Sequence, residues 1–217
     1  MKVYYTILND EWDCFDELLL QYVSDNRRKK VLSYRFMQDR KLSLYVELLC
    51  RLLLSSISSK NYNDFVFEVM EYGKPIVIGK DGFHISLSHT RMCVVVCVSE
   101  LGEVGIDVEK RNEAPLDIMN TCFSQNEIEN ILCGKTDELN ERFYKMWTCK
   151  EAYLKQIGCG LIEEMEFKSI FDISNDLFST WSIDGYQFAC CSAVKEEVHC
   201  TKISEKEIRN FYFSVDK

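Results

Sequence analysis

Proline is nearly absent: Pro75 and Pro115 are the only two in 217 residues. No stretch is low in complexity either, so the chain reads as regular elements joined by short connections. Histidine is almost as scarce, and His84, His89 and His199 stand at no finger-like spacing from paired cysteines. There is no C-x-x-C, and a structural zinc site is not expected. The eleven cysteines are odd in number and are expected to be thiols in a reducing cytoplasm, most of them packing as small apolar residues. Long apolar runs are missing too. In the central region the longest uncharged stretch, Met92 to Ser99, falls far short of the ~20 residues that span a bilayer. The strand-like start from Met1 to Leu8 meets Asp10, Glu11 and Asp13 where a secretory h-region would continue, so no signal peptide is expected. Positive charge is not in excess. A formal charge of -9 argues against a protein whose main task is binding nucleic acid. These absences predict a soluble, cytoplasmic protein with no membrane and no nucleic-acid partner.

What is present is an ordinary globular composition, 47% hydrophobic and 28% charged, on a chain long enough for one domain or two similar halves. After a first strand come helical stretches from about Glu11 to Tyr22 and from about Asn26 to Phe36. A longer helix starts near Gln38, with Leu42, Tyr45, Leu49 and Leu52 on one apolar stripe. Phe65 to Val69 reads as a strand, and Tyr72-Gly73-Lys74-Pro75 as the turn after it. Phe83, Ile85 and Leu87 alternate with His84, Ser86 and Ser88 as in a half-buried strand. Cys93 to Val98 is a fully apolar strand, turned back by residues 100–103. Ser124-x-x-Glu127 has the form of a capping box opening a helix, a structural role. A helix around Trp147 carries Phe143, Met146, Trp147, Leu154 and Ile157 to the core and ends at Gly158. Asp184-Gly185 reads as a hairpin turn. Helices and hairpins in both halves, without regular strand-helix alternation, argue an α+β fold.

Two strings carry chemistry. In Val104-Gly105-Ile106-Asp107-Val108-Glu109 the strand period sends Val104, Ile106 and Val108 to the core and leaves Asp107 and Glu109 together on the other, exposed face. In Trp147-Thr148-Cys149-Lys150-Glu151-Ala152-Tyr153-Leu154-Lys155 the helical period puts Trp147, Glu151 and Lys155 on one face. Alone, the first describes a strand with a solvated face and the second a pair of surface support. Together, three carboxylates and an ammonium suit a hard divalent cation handling phosphate. A basic run, Arg27-Arg28-Lys29-Lys30, followed by Arg35, Arg40 and Lys41, reads residue by residue as a solvated helix face. As a group it could meet a small phosphorylated ligand.

The ordered set Gly73-Lys74-Pro75, Leu87-Ser88-His89-Thr90, Gly105 to Glu109, Phe123-Ser124-x-x-Glu127 and Trp147-Thr148-x-Lys150-Glu151-Ala152-x-x-Lys155 resembles the 4′-phosphopantetheinyl transferases of the surfactin-synthetase-activating type. The resemblance implies a monomer of two similar α+β halves related by a pseudo-twofold, residues 1–102 and 103–217, with the active site in the cleft between them. The second half would carry the metal and catalytic residues. The reaction implied moves the 4′-phosphopantetheine arm of coenzyme A to a serine of an apo acyl, peptidyl or aryl carrier protein, with Mg2+, releasing adenosine 3′,5′-bisphosphate. Asp107, Glu109 and Glu151 would hold Mg2+ and Glu151 would be the general base. Lys155 would neutralise the leaving phosphate, Ser88 and His89 would meet the coenzyme phosphates, and Lys74 the nucleotide. The cluster that includes Arg27 and Lys30 would meet the 3′-phosphate, with Arg27, Arg28 and Lys30 all open as the contact. Cys159 sits between Gly158 and Gly160 where family members often have lysine, which puts a phosphate contact there in doubt. A non-catalytic homologue that binds coenzyme A or carrier proteins is the alternative, and an unrelated Mg-dependent phosphohydrolase is a weaker one that leaves residues 73–75 and 87–90 unexplained.

Overall fold

The computed structural model describes residues 1–79, 82–159 and 169–214, so Gly160 lies outside the described residues. The first half runs β1 (Lys2–Ile7), α1 (Cys14–Leu19), α2 (Asp25–Ser33), α3 (Met37–Ile57), a small hairpin of β2 (Val66–Val69) and β3 (Pro75–Ile78), then β4 (His84–Thr90) and β5 (Cys93–Ser99). The second runs β6 (Val104–Lys110), α4 (Met119–Cys122), α5 (Gln125–Leu132), α6 (Leu139–Ile157), β7 (Phe178–Ile183) and β8 (Tyr186–Ser192). The chain then continues through β9 (His199–Lys202) and α7 (Glu205–Ser214).

The fold is α+β, and its two halves repeat one topology. The larger sheet is ordered β4-β5-β1-β9 and the smaller β6-β8-β7. In each half a strand leads through helices to a long helix, then to an antiparallel hairpin whose second strand pairs antiparallel with the first strand. Thus β1, α3, β4 and β5 correspond to β6, α6, β7 and β8. The last two elements cross back. Strand β9 pairs parallel with β1, and Ile208 and Tyr212 of α7 join the core beneath α3.

The apolar run of β5 explains the layering. Val94, Val96 and Val98 pack toward α3, while Cys93, Val95 and Cys97 pack against Val104, Ile106, Val108, Phe188 and Cys190 of the smaller sheet. A strand with helix on one face and sheet on the other has no place for an alternating polar residue. On the far side, Ala189 and Cys191 of β8 meet Cys149 and Ala152 of α6. The order is helix, sheet, sheet, helix. Cys50, Cys93, Cys97, Cys149, Cys190 and Cys191 are buried thiols, packing as the small apolar residues the sequence suggests.

Several element ends have local causes. Asp13 accepts from the amides of Phe15 and Asp16 while Asp16 accepts from that of Asp13, so α1 begins at this capping box rather than near Glu11. Helix α2 stops at Ser33, before Phe36, because Tyr34 is extended. Pro75, read as the end of the turn, already begins β3, which pairs antiparallel with β2. Ser124 and Glu127 make the capping box the sequence predicts. Gly158 closes α6 in the left-handed region at φ 73°. Asp184 and Gly185 both have positive φ, 53° and 77°, as a two-residue hairpin loop between twisted strands requires.

The basic residues after Asp39 make contacts within the chain. Lys41 is 0% exposed; its Nζ donates to Asn9 Oδ1 at 2.7 Å and the Glu11 carbonyl at 2.6 Å and pairs with Glu205 at 2.9 Å. Arg209 of α7 joins the same network through Asp13, Asp16 and Glu205. Arg40 donates to the carbonyls of Tyr34 and Leu32 and closes the α2–α3 corner. A buried ammonium must be paired to be tolerated, and Lys41 serves the fold.

Candidate active site at the junction of the two halves

Gly105 sets the geometry. A Cβ there would lie 1.8 Å from the carbonyl oxygen of Ala152 and 2.5 Å from the amide of Gln156. Only glycine lets the α6 backbone rest directly on β6. Asp107 and Glu109 share that face of the strand, and α6 therefore lays Glu151 and Lys155 beside them. Lys155 Nζ reaches Asp107 Oδ1 at 2.6 Å and Ser88 Oγ at 2.9 Å.

Strand β4 closes the other side. It is the edge of the larger sheet, as β6 is of the smaller, and its outward side chains at alternate positions bridge the two halves. Ser86 Oγ accepts from the Ile106 amide at 3.1 Å, Ser88 Oγ donates to Asp107 Oδ1 at 2.8 Å, and Thr90 Oγ1 donates to Glu109 Oε2 at 2.9 Å. Trp147 stacks on Phe143, and its indole N–H favours the charged form of Glu109. The core assignment of Trp147 holds for its ring, and its polar edge serves the acids.

Negative charge here is only partly compensated. Asp107, expected to be exposed, is 3% exposed because α6 and β4 cover it, and among the described residues its Oδ2 has no hydrogen-bond partner. Burial and then the Asp107 carboxylate raise Glu109 above the ordinary range for glutamate. Burial, then Asp107, push Glu151 up to about 7, with Lys155 opposing. Among the described residues no three His, Cys, Asp or Glu side chains are gathered closely enough to grip a metal ion as they stand. The donor set is nonetheless all oxygen, with one buried oxygen unpartnered and two carboxyls pushed toward the neutral form. A hard cation fits that chemistry.

The basic residues stand along the same cleft. Its outer part, about 750 Å3, is lined by Arg27, Lys30, Glu47, Phe67 and His89 and reaches Gly73, Pro75 and Leu87. The inner part shares those last three and continues to Ser86, Glu151, Lys155 and Gly158. Arg27 and Lys30, one turn apart on α2, face the cleft. Arg28 instead pairs with Asp25 and donates to the Leu20 carbonyl. His89 stands at the open mouth, where the surrounding protein, then Lys155, Arg27 and Lys30, lower it below 6.5. These neighbours favour its neutral form. Lys74 borders the inner cleft, but its ammonium is held by Glu103 and by the Gln156 carbonyl at the end of α6.

Sequence reasoning missed four contributors. Glu47, 4% exposed, accepts from Arg27 and Arg51; the sign was a Glu-Arg pair at i, i+4 within an apolar helix. Ser86 and Thr90 were visible as the polar alternation of β4, without a partner to name. Lys150 pairs at 2.8 Å with the fully buried Glu127, which also accepts from the Ile170 amide. The capping box thus also anchors α6.

A family model described as the 4′-phosphopantetheinyl transferase superfamily matches residues 103–204, and one described as the 4′-phosphopantetheinyl transferase N-terminal region matches residues 10–101. The chain is 30% identical over 189 residues to the 4′-phosphopantetheinyl transferase ffp of Bacillus subtilis, covering 81% of this chain and 84% of that protein. It is 28% identical over 192 residues to the 4′-phosphopantetheinyl transferase Sfp of Bacillus subtilis (strain 168), covering 82% and 85%. With the 4′-phosphopantetheinyl transferase gsp of Aneurinibacillus migulanus it shares 27% identity over 205 residues, covering 88% and 85%.

Proposed function

The chain belongs to the 4′-phosphopantetheinyl transferases, and from that premise we propose that it transfers the 4′-phosphopantetheine arm of coenzyme A to a serine of an apo acyl, peptidyl or aryl carrier protein, releasing adenosine 3′,5′-bisphosphate. One observation carries the proposal: a cleft runs from the cationic Arg27 and Lys30 to Glu151 and Lys155, the latter paired with the buried Asp107. A ligand with a phosphate at one end and a diphosphate further along matches that order of charge.

Arg27 and Lys30 bind the 3′-phosphate, and Ser88 and His89 the diphosphate. His89, which its surroundings favour in the neutral form, can donate a ring N–H there. Asp107, Glu109 and Glu151 would hold Mg2+, which when bound neutralises diphosphate charge. Glu151, on the α6 face that carries Lys155 and lining the inner cleft, would take the proton of the incoming serine hydroxyl. The serine oxygen bonds to the β-phosphorus as the bond to the bridging oxygen breaks. Lys155 exchanges its contact with Asp107 for the departing phosphate, whose charge it offsets. We place this chemistry in a cytoplasmic monomer.

Incubation with apo carrier proteins, coenzyme A and Mg2+, followed by intact mass measurement of the carriers, tests the proposal. A gain of one phosphopantetheine group per carrier is expected. Carriers left unmodified while coenzyme A binds tightly would make the chain a non-catalytic binding homologue.

A further inference from the structure

Glu47 has no place in the chemistry above, yet it is a carboxylate on which five donors converge. Oε1 accepts from the Ser24 amide at 2.7 Å and from Arg51 Nε and Nη2 at 2.9 and 2.8 Å. Oε2 accepts from Ser24 Oγ and from Arg27 Nε, both at 3.1 Å. Its two cationic neighbours fasten opposite walls of the cleft. Arg51 ties α3 to the carbonyls of Tyr62 and Phe65 and lies over the Phe67 ring. Ser24 is the N-cap of α2, accepting from the Arg27 amide. Arg27 donates through Nε to Glu47 Oε2 at 3.1 Å and, at a longer 3.4 Å, through Nη1 to Ser43 Oγ, while among the described residues its Nη2 has no hydrogen-bond partner.

We infer that Glu47 is a positioning residue that orients the Arg27 guanidinium, so that its outer edge presents N–H groups to the phosphate at the basic end of the cleft. A guanidinium held on its Nε side has less rotamer freedom to lose when it binds a phosphate, and its planar fork supplies directional contacts. The inference rests on the proposed function for the identity of the ligand. It predicts that Glu47 contributes to discrimination between coenzyme A and dephospho-coenzyme A, which lacks the 3′-phosphate, without touching either.

Titration calorimetry with both ligands decides it. Glu47→Gln keeps one acceptor oxygen and replaces the other by an amide NH2, which faces the donors on its side. Its affinity for coenzyme A should fall about tenfold, the scale of a lost charge-assisted contact, while that for dephospho-coenzyme A stays nearly unchanged. The loss should disappear when Arg27→Met is already present. Arg27→Lys preserves charge but cannot be held by an Nε while extending a fork, so it should lose most of the discrimination; this second variant leaves Glu47 in place and does not depend on Glu47→Gln folding. Equal losses for both ligands in Glu47→Gln, additivity with Arg27→Met, or full discrimination by Arg27→Lys would each overturn the inference. A wild-type protein that binds coenzyme A without preferring it to the dephospho form would remove Arg27 from the 3′-phosphate and the inference with it. A wild-type protein that binds neither would overturn the functional proposal itself.

Discussion

Replacing Glu151 by Gln should make the ligand-free protein more stable at alkaline pH. The Glu151 carboxyl, ordinarily at 4.5, is pushed up to about 7 by burial and by Asp107. Between those values the folded protein retains a proton that the unfolded chain has released. The stabilising contribution of neutral Glu151 is therefore full below pH 4.5 and lost as pH rises through 7. The displacement corresponds to roughly 3 kcal/mol, reduced to roughly 2 kcal/mol because the group is partly open to water and screened. For a chain of this size that is a difference in Tm of about 4 °C or more at pH 8. Glutamine has similar size, carries no charge and breaks no hydrogen bond that Glu151 makes among the described residues. Thermal unfolding of both proteins at pH 4.5 and pH 8 measures the effect, which should be large only at pH 8. Added Mg2+ should raise the wild-type Tm at pH 8 and leave Glu151→Gln much less affected. An equal shift at both pH values, or a variant less stable than wild type at pH 8, would refute the electrostatic account of this site.

Gly105→Ala forces a methyl group into the Ala152 carbonyl, 1.8 Å away. It should cost at least about 3 kcal/mol in denaturant unfolding and lose transfer activity with it; a stable, active variant would mean α6 does not rest on β6. Lys150→Met strands the 0% exposed Glu127, so roughly 3–5 kcal/mol of stability should be lost, with part recovered in a Lys150→Met, Glu127→Gln double variant. No recovery would show that the pairing is not what Lys150 contributes. Removing charge at Arg27 and Lys30 together should narrow the preference for coenzyme A over its dephospho form, most clearly at low salt. Equal loss for both ligands would return these residues to a solvated helix face.

The inner site was legible because its spacing is short-range. A strand period and a helix period place Asp107, Glu109, Glu151 and Lys155 on predictable faces, whereas the contact of the two elements at Gly105 emerged only from the structure. The hairpin at Asp184-Gly185, the capping box at Ser124 and the close of α6 at Gly158 were readable for the same reason, since each is decided within a few residues. What was hidden depends on partners distant in sequence. Nothing near Lys41 announces that Glu205, at the other end of the chain, will neutralise it, nor that β9 will pair with β1. Asp107 looked solvated because a strand alone cannot show that α6 and Ser88 will cover it. Arg27 and Lys30 could not be separated from Arg28 by charge, only by which side of α2 faces the cleft.

The central claim is that the acids beneath α6 drive transfer of phosphopantetheine rather than hydrolysis or binding alone. Its most direct test counts, in one reaction with apo carrier protein and Mg2+, the adenosine 3′,5′-bisphosphate released against the carriers gaining mass, for wild type and for Asp107→Ala. The account predicts one nucleotide per modified carrier in the wild type. It predicts neither product from Asp107→Ala, and no turnover by wild type in EDTA. Nucleotide released without carrier modification, or wild-type turnover by Asp107→Ala, would contradict it.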